Sequence, residues 1–326
     1  MKLGSLYLEN RYILAPMQNV TTGPYRRFCR KFHKIGLVCV PMLYTKRIEK
    51  NPEDISHDLC KIEEERPISV QLISSDPISL KRTIDYLESY KFDVLDINAG
   101  CPSKRAIKAK EGGYLLKDLE KLENLVKIAV NNSSKPVSLK IRTGFENSNN
   151  IKEFAKIANN SGIAFLTIHA RTVKSFFENT SLNLDIVKKL KENLIIPLVG
   201  NGDIASPNAA KCFINYTNVD ALMIGRESMG NPQIFNQIHE YFTTGKEVLF
   251  INDEKIMKKN IEIYKKCLDE FLNGITLPCD INEYKFTELK RNSIWLARNI
   301  KNSAIIRRQI SNTKNLEQLE LVLNNM

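Results

Sequence analysis

Cys101 stands in "LDINAGCPSKRAIKAK", at a Gly-Cys-Pro corner just past a strand-like apolar run and beside four cations, Lys104, Arg105, Lys108 and Lys110. A thiol exposed on such a loop is placed for acid–base chemistry, most usefully as a proton donor to a weakly basic carbon. The other six cysteines (29, 39, 60, 212, 267 and 279) form no Cys-x-x-Cys pair. They are expected to be reduced and to serve as small buried hydrophobes, with neither a disulfide framework nor a metal site. Further polar residues recur at the carboxyl ends of apolar runs: Gln71, Asn98, Lys140 with Arg142, His169 with Arg171, "GNGD" at 200 to 203, and Gly225 with Arg226. Pro16, Met17 and Met42 end the first two runs.

Taken by type, these residues suit a phosphorylated planar redox cofactor. The glycines of "GNGDIAS" let a backbone approach a phosphate closely, and Arg226 adds a fixed cation. Lys140 and His169 can hold a heterocycle's polar edge and stabilise negative charge on a reduced ring. Gln71 offers both a donor and an acceptor. Flavin mononucleotide (FMN) is the simplest cofactor that fits. The letters Gly-x-Gly-x-x-Ala in the same segment also match a dinucleotide fingerprint, but no strand–loop–helix unit with a suitably placed acid accompanies them. "GG" at 112 to 113 would let the segment 101 to 113 close over a substrate as a lid.

Such residues need a scaffold that brings strand ends together. Eight apolar runs (12–17, 36–42, 68–73, 93–98, 137–142, 164–169, 196–202 and 220–225) alternate with helix-like segments such as "SLKRTIDYLESY" and "LEKLENLVKIAVNN". Near-continuous apolar strands separated by helices imply a closed parallel (β/α)8 barrel of the TIM type, with its site at the carboxyl ends of the strands. An open doubly wound sheet is the rival. The runs place the barrel over 1–245 and leave 246–326 for a small α-helical domain.

The chain has 326 residues, 43% of them hydrophobic and 26% charged, with a net charge of +11. That excludes disordered and fibrous classes and favours a polyanionic partner. No run approaches the roughly 18 apolar residues of a membrane span, and the first 12 residues lack a secretion signal's apolar core. A cytoplasmic monomer with no membrane or metal partner is expected.

The stretches "ILAPMQNVTTGPYRRFCR", "EEERPISVQLISSDP", "DVLDINAGCPSKRAIKAKEGGYLLKD", "VSLKIRTGF", "LTIHART", "IPLVGNGDIASP" and "ALMIGRESMGNPQIF" together resemble the tRNA-dihydrouridine synthase family over nearly the whole chain. The resemblance implies an enzyme that reduces the 5,6 double bond of particular uridines in tRNA, using FMN and NADPH. It makes Cys101 the proton donor and assigns FMN contacts to Pro16, Met17, Gln71, Lys140, His169, Asn201, Gly202, Asp203, Gly225 and Arg226. Asn98, Arg142 and Arg171 would face the substrate. Departures occur at Thr22, where the family usually has an acid, at Pro41 for a frequent Glu, at Asn292 for a frequent His and at Asn299 for a frequent Gly.

From Asn282 to Lys314 the tail carries eight cations against two acids. Lys290, Arg291, Arg298, Arg307 and Arg308 would grip tRNA phosphates, giving affinity without sequence. A solvated helix face reads equally well from charge alone. Two other functions fit the sequence less well: a free-pyrimidine flavoenzyme of the dihydroorotate dehydrogenase kind, against which the basic tail argues, and a non-catalytic RNA-binding protein, which would not need Cys101, Lys140 and His169 at one mouth.

Overall fold

The computed structural model describes residues 1–326 except Leu249 and the side chains of Asp54 and Asn179. Eight parallel strands form the centre: β1 (Tyr12–Leu14), β2 (Val38–Cys39), β3 (Ile68–Ile73), β4 (Val94–Ala99), β5 (Val137–Arg142), β6 (Phe165–His169), β7 (Leu198–Asn201) and β8 (Ala221–Ile224). Each of β2 to β8 pairs with its sequence neighbour, and β8 returns to pair with β1. The last gap closes where Ile13 bridges Leu37 in parallel and the Leu14 amide donates to the Leu37 carbonyl at 2.9 Å. The sheet is therefore a barrel, and the open doubly wound alternative is excluded.

Every residue of β3 and β4 is buried, as parallel strands covered on both faces require. The second run is shorter than expected, because Pro41, which has no N–H to give a ladder, separates β2 from a two-residue stretch, Leu43–Tyr44, that pairs with β3 on its own. Helices Pro77–Leu87, Leu119–Asn132, Ile151–Asn160, Leu184–Glu192 and Pro207–Thr217 clothe the barrel. Asp76, Asp118, Asn183 and Ser206 cap four of them by accepting first-turn amides. Leu3 from an amino-terminal hairpin and Leu8 after it pack with Ile13, Val94 and Phe165 and fill the bottom of the barrel. Its open mouth is thus at the carboxyl ends of the strands.

Helices Glu254–Leu272, Ile281–Leu296, Ser303–Asn312 and Leu316–Asn324 follow. The first lies against helix Gly23–Arg30, with the Phe271 ring over Gly23 and the rings of Phe28 and Tyr264 edge-on at 5.3 Å. The expected division at 245 falls between helices Ile234–Thr244 and Glu254–Leu272, yet one apolar core containing Tyr25, Phe28, Tyr264 and Phe271 runs across it. Buried Glu288 pins the join: it accepts from the Thr22 hydroxyl at 2.9 Å and the Tyr264 hydroxyl at 2.5 Å, and pairs with Arg291. Thr22, where an acid is usual, is served by this carboxylate from the carboxyl-terminal helices. Asn299 adopts a left-handed φ of +61°, which an asparagine tolerates where glycine is frequent. Among the described residues no helix is long and apolar enough to cross a membrane, and no group of His, Cys, Asp or Glu could hold a metal ion.

Candidate active site at the barrel mouth

The mouth holds a cavity of about 370 Å³, walled by Ala15, Pro16, Met17, Met42, Met223 and Ile224 on its apolar side. Gln71, Asn98, Cys101, Lys140, Arg142, His169, Asn201, Gly202, Asp203, Gly225 and Arg226 are also part of the wall. Strands β3 to β8 each deliver their last inward residues here, because side chains alternate across a strand and the inward ones converge on the axis.

Three groupings emerge from the geometry. The first carries the thiol. Asn98, near the end of β4, accepts the amides of Gly100 at 3.0 Å and Cys101 at 2.9 Å on its Oδ1, an Asx turn that folds the corner. Its Nδ2 donates to Gln71 Oε1 at 2.8 Å, and Gln71 Nε2 donates to Asp96 Oδ2 at 2.6 Å. The Cys101 thiol donates to Ser103 Oγ at 3.4 Å. Arg105 stacks over the Tyr44 ring at 3.8 Å. Gly112 has a φ of +57°, and a Cβ there would lie 2.9 Å from Cys101 Cβ. This glycine, expected as part of a hinge, is buried and makes room for the thiol's own backbone.

The second grouping is cationic but has one neutral member. Lys140 Nζ donates to Asn201 Oδ1 at 3.3 Å, and Asn201 Nδ2 is held by the Met223 carbonyl at 2.7 Å. Burial and the neighbouring Arg142 lower the Lys140 ammonium to about 8. Burial first, then Arg142, Lys140, Arg171 and Arg226, push the His169 imidazole far below its usual value, so it is neutral. Its Nδ1 is buried with no hydrogen-bond partner. Arg142 donates to the carbonyls of Thr172 at 2.8 Å and Phe176 at 2.6 Å.

The third grouping is the far rim. Asp203, at a left-handed φ of +47°, pairs with Arg171 through both oxygens and with Arg226 at 2.9 Å. The Arg171 hydrogen bonds hold its carboxyl below the usual range. Before it, Gly202 has a φ of +129°, and a Cβ there would be 2.8 Å from the Leu182 side chain. Arg226 leaves 42% of its side chain exposed, and its guanidinium lies 4.4 Å from the Phe177 ring.

Arg171, expected to face substrate, is instead completely buried behind Asp203, donating also to the Glu178 carbonyl and Ser181 Oγ. The tail cations are not at this wall. Lys290 donates to the Thr313 carbonyl at 2.6 Å and Arg291 pairs with Glu288, so two of the five are turned inward, whereas Arg298 and Arg308 are exposed and Arg307 is half-buried. Of the six other cysteines, Cys29, Cys39 and Cys267 are buried as expected, but Cys212 and Cys279 are exposed and Cys60 is partly so. The residue reading passed over Asp96, Ser138 and Phe177. A carboxylate in the middle of an all-buried strand is costly unless bonded, which was the available signal for Asp96. Phe177 gave none, lying in an irregular loop.

An apolar slot with an unpartnered imidazole nitrogen, a lysine and an asparagine along one edge and an arginine at the rim fits a planar heterocycle bearing a phosphate.

The family model described as dihydrouridine synthase (Dus) matches residues 13–325. A tRNA-dihydrouridine synthase B from Pasteurella multocida is 39% identical over 236 residues, 72% of this chain and 70% of that protein. The protein of the same name from Vibrio vulnificus is 34% identical over 83% of this chain and 85% of its own length. Among solved structures, a morphinone reductase variant in complex with tetrahydroNAD superposes with a TM-score of 0.54 at 11% identity, covering 73% of this chain and 88% of that one. Histamine dehydrogenase from a Rhizobium species superposes at 0.56 and 10% identity, over 81% and 50%. At such identities the likeness is one of fold.

Proposed function

The chain belongs to the dihydrouridine synthase family, and we propose that it reduces particular uridines in tRNA to dihydrouridine with Cys101 as the proton donor. The observation that carries this reading is the seating of one thiol, on a corner folded by Asn98, at the same mouth as Lys140, His169 and Arg226. FMN bound in the cavity, drawing on NADPH, would supply the two-electron reduction. Lys140, Asn201 and the free His169 Nδ1 would hold its ring edge, Pro16, Met17 and Gly225 its flank, and Gly202, Asp203 and Arg226 its phosphate end, with Gln71 bracing the wall behind.

The protein's own work is orientation and proton delivery. Asn98 and Arg142 would bound the space for the uracil. Cys101 Sγ gives its proton to the ring carbon, and Ser103 Oγ, already its hydrogen-bond partner, offers a route by which the thiol regains one. Residues 246–326 are proposed as the RNA-holding domain, with Arg298 and Arg308 as phosphate contacts. The relatives' names support tRNA as the substrate.

Replacing Cys101 tests the assignment. Cys101→Ala should purify with FMN and oxidise NADPH normally, yet form dihydrouridine in tRNA about a hundred to ten thousand times more slowly, the usual cost of losing a general acid. Turnover near that of the unaltered enzyme would remove Cys101 from the role.

A further inference from the structure

Three strands place Gln71, Asp96 and Ser138 side by side, since Gln71 pairs with Asp96 in the β3–β4 register and Asp96 with Ser138 in the β4–β5 register. Asp96 is buried and does not reach the cavity, and both of its oxygens are engaged: Oδ1 by the Ser138 hydroxyl at 2.6 Å, Oδ2 by Gln71 Nε2 at 2.6 Å. An amide side chain can exchange its oxygen and nitrogen by a half-turn, but a carboxylate only accepts. Burial raises the Asp96 carboxyl from its usual value, and the hydrogen bonds from Ser138 and Gln71 draw it back; as a carboxylate it obliges Gln71 to turn its nitrogen inward and its oxygen toward Asn98. That oxygen takes Asn98 Nδ2, which leaves Asn98 Oδ1 for the amides of Gly100 and Cys101.

We infer that Asp96 is a positioning residue for Cys101: its carboxylate fixes the sense of the Gln71–Asn98 hydrogen-bond chain that folds the Gly-Cys-Pro corner. The chain runs from an acceptor-only end at Asp96 to a donor-only end at two backbone amides, so every link has one permitted orientation. Reversal at Gln71 would set its N–H against Asn98 Nδ2, and the reversal of Asn98 that relieves this would set N–H against the two amides of the corner, so that the thiol would lose its seat. The inference rests on the proposed role of Cys101 for its consequence in turnover, but not for the geometry.

Asp96→Asn tests it, because an amide at 96 no longer dictates which end of Gln71 it meets. In the FMN-loaded protein without tRNA, alkylation of Cys101 by iodoacetamide should speed up severalfold as Sγ leaves Ser103 Oγ. The kcat for dihydrouridine formation should fall about tenfold to a hundredfold, as for a reacting group displaced by about an ångström, with the KM for tRNA and the FMN content held. The double variant Asp96→Asn with Gln71→Glu moves the acceptor-only group one link along and lets Asn98 keep its orientation, so its alkylation rate should return toward that of the unaltered protein. Unchanged alkylation in Asp96→Asn, or no recovery in the double variant, would overturn the inference. Gln71→Leu cuts the chain one link from Asp96 and serves should Asp96→Asn fail to fold, since Asn98 then loses the acceptor that fixes its sense, and an unchanged alkylation rate there would overturn the inference equally. Activity surviving in Cys101→Ala would strike the proposed function alone and leave the alkylation result standing.

Discussion

Arg171 beneath the barrel mouth is wholly buried and bonded on every side, while Arg308 on helix Ser303–Asn312 stands in solvent. By sequence both were expected to meet the substrate. The difference lies in what surrounds them. Arg171 emerges from β6 into a loop that wraps over it and offers a carbonyl and a hydroxyl, and Asp203, just past β7, adds its carboxylate, so its charge is spent holding the rim. The tail presents a mixture: Lys290 and Arg291 are consumed by Thr313 and Glu288, whereas Arg298 and Arg308 are open. A count of cations therefore measures potential contacts, and the local hydrogen-bond supply decides which remain for a partner.

The comparison breaks most visibly at Asp203. Asp203→Ala leaves Arg171 buried without its carboxylate and should lower the unfolding free energy by about 3 kcal/mol, read from urea unfolding of the flavin-free protein. Arg308→Ala in the same assay should change nothing measurable, as befits a solvated side chain. Equal stability of the two variants would mean that the buried and open arginines do not differ as described.

A smaller effect sharpens the chemistry of the mouth. Lys140 carries its charge below about 8 and loses it as pH rises through that value. A ligand that favours the ammonium must then bind best below that point, so FMN affinity should fall about tenfold for each pH unit above it until the bound-state value is reached. Fluorescence titration across this range checks the sign, and Lys140→Met should flatten the curve. Affinity that rises with pH would take Lys140 out of the cofactor's surroundings.

The finest distinction is within the tail. Removing Arg308 should flatten the log–log salt dependence of tRNA binding by roughly 0.7 to 0.9 of a unit, one phosphate contact's worth. Lys290→Ala should leave the slope unaltered, because its ammonium is already given to Thr313. Equal slopes for Arg308→Ala and the unaltered protein would place the RNA elsewhere.

These contrasts also mark what the sequence could and could not disclose. The strands were legible because parallel strands covered on both faces must be continuously apolar, and the polar residues ending them were legible because they interrupt that pattern. Gln71, Asn98, Lys140 and His169, which line the cavity, stand out in this way. Their partners were not: nothing in "VSLKIR" says that Ser138 would bond Asp96, since the contact depends on the register between strands forty residues apart. Arg171 lies outside the cavity wall for a similar reason. A chain position just past a strand end says that a side chain is near the mouth, but the loop's path decides whether it enters the cavity or lies beneath it. The two exposed cysteines, Cys212 and Cys279, were likewise beyond composition, which speaks of thiols only on average.

The buried Glu288, shared by Thr22 of the barrel and by Tyr264 and Arg291 of the carboxyl-terminal helices, has a mechanical consequence. With Phe271 lying directly over Gly23 across the same join, there is little compliance between the part proposed to grasp RNA and the part proposed to act on it. On that reading the nucleic acid is the partner that must yield: a uridine has to swing out of its stack and enter the mouth, an excursion that costs a few kcal/mol and is cheapest where the loop is already loosely stacked. Stiffness in the protein would thus favour uridines in pliant parts of the RNA.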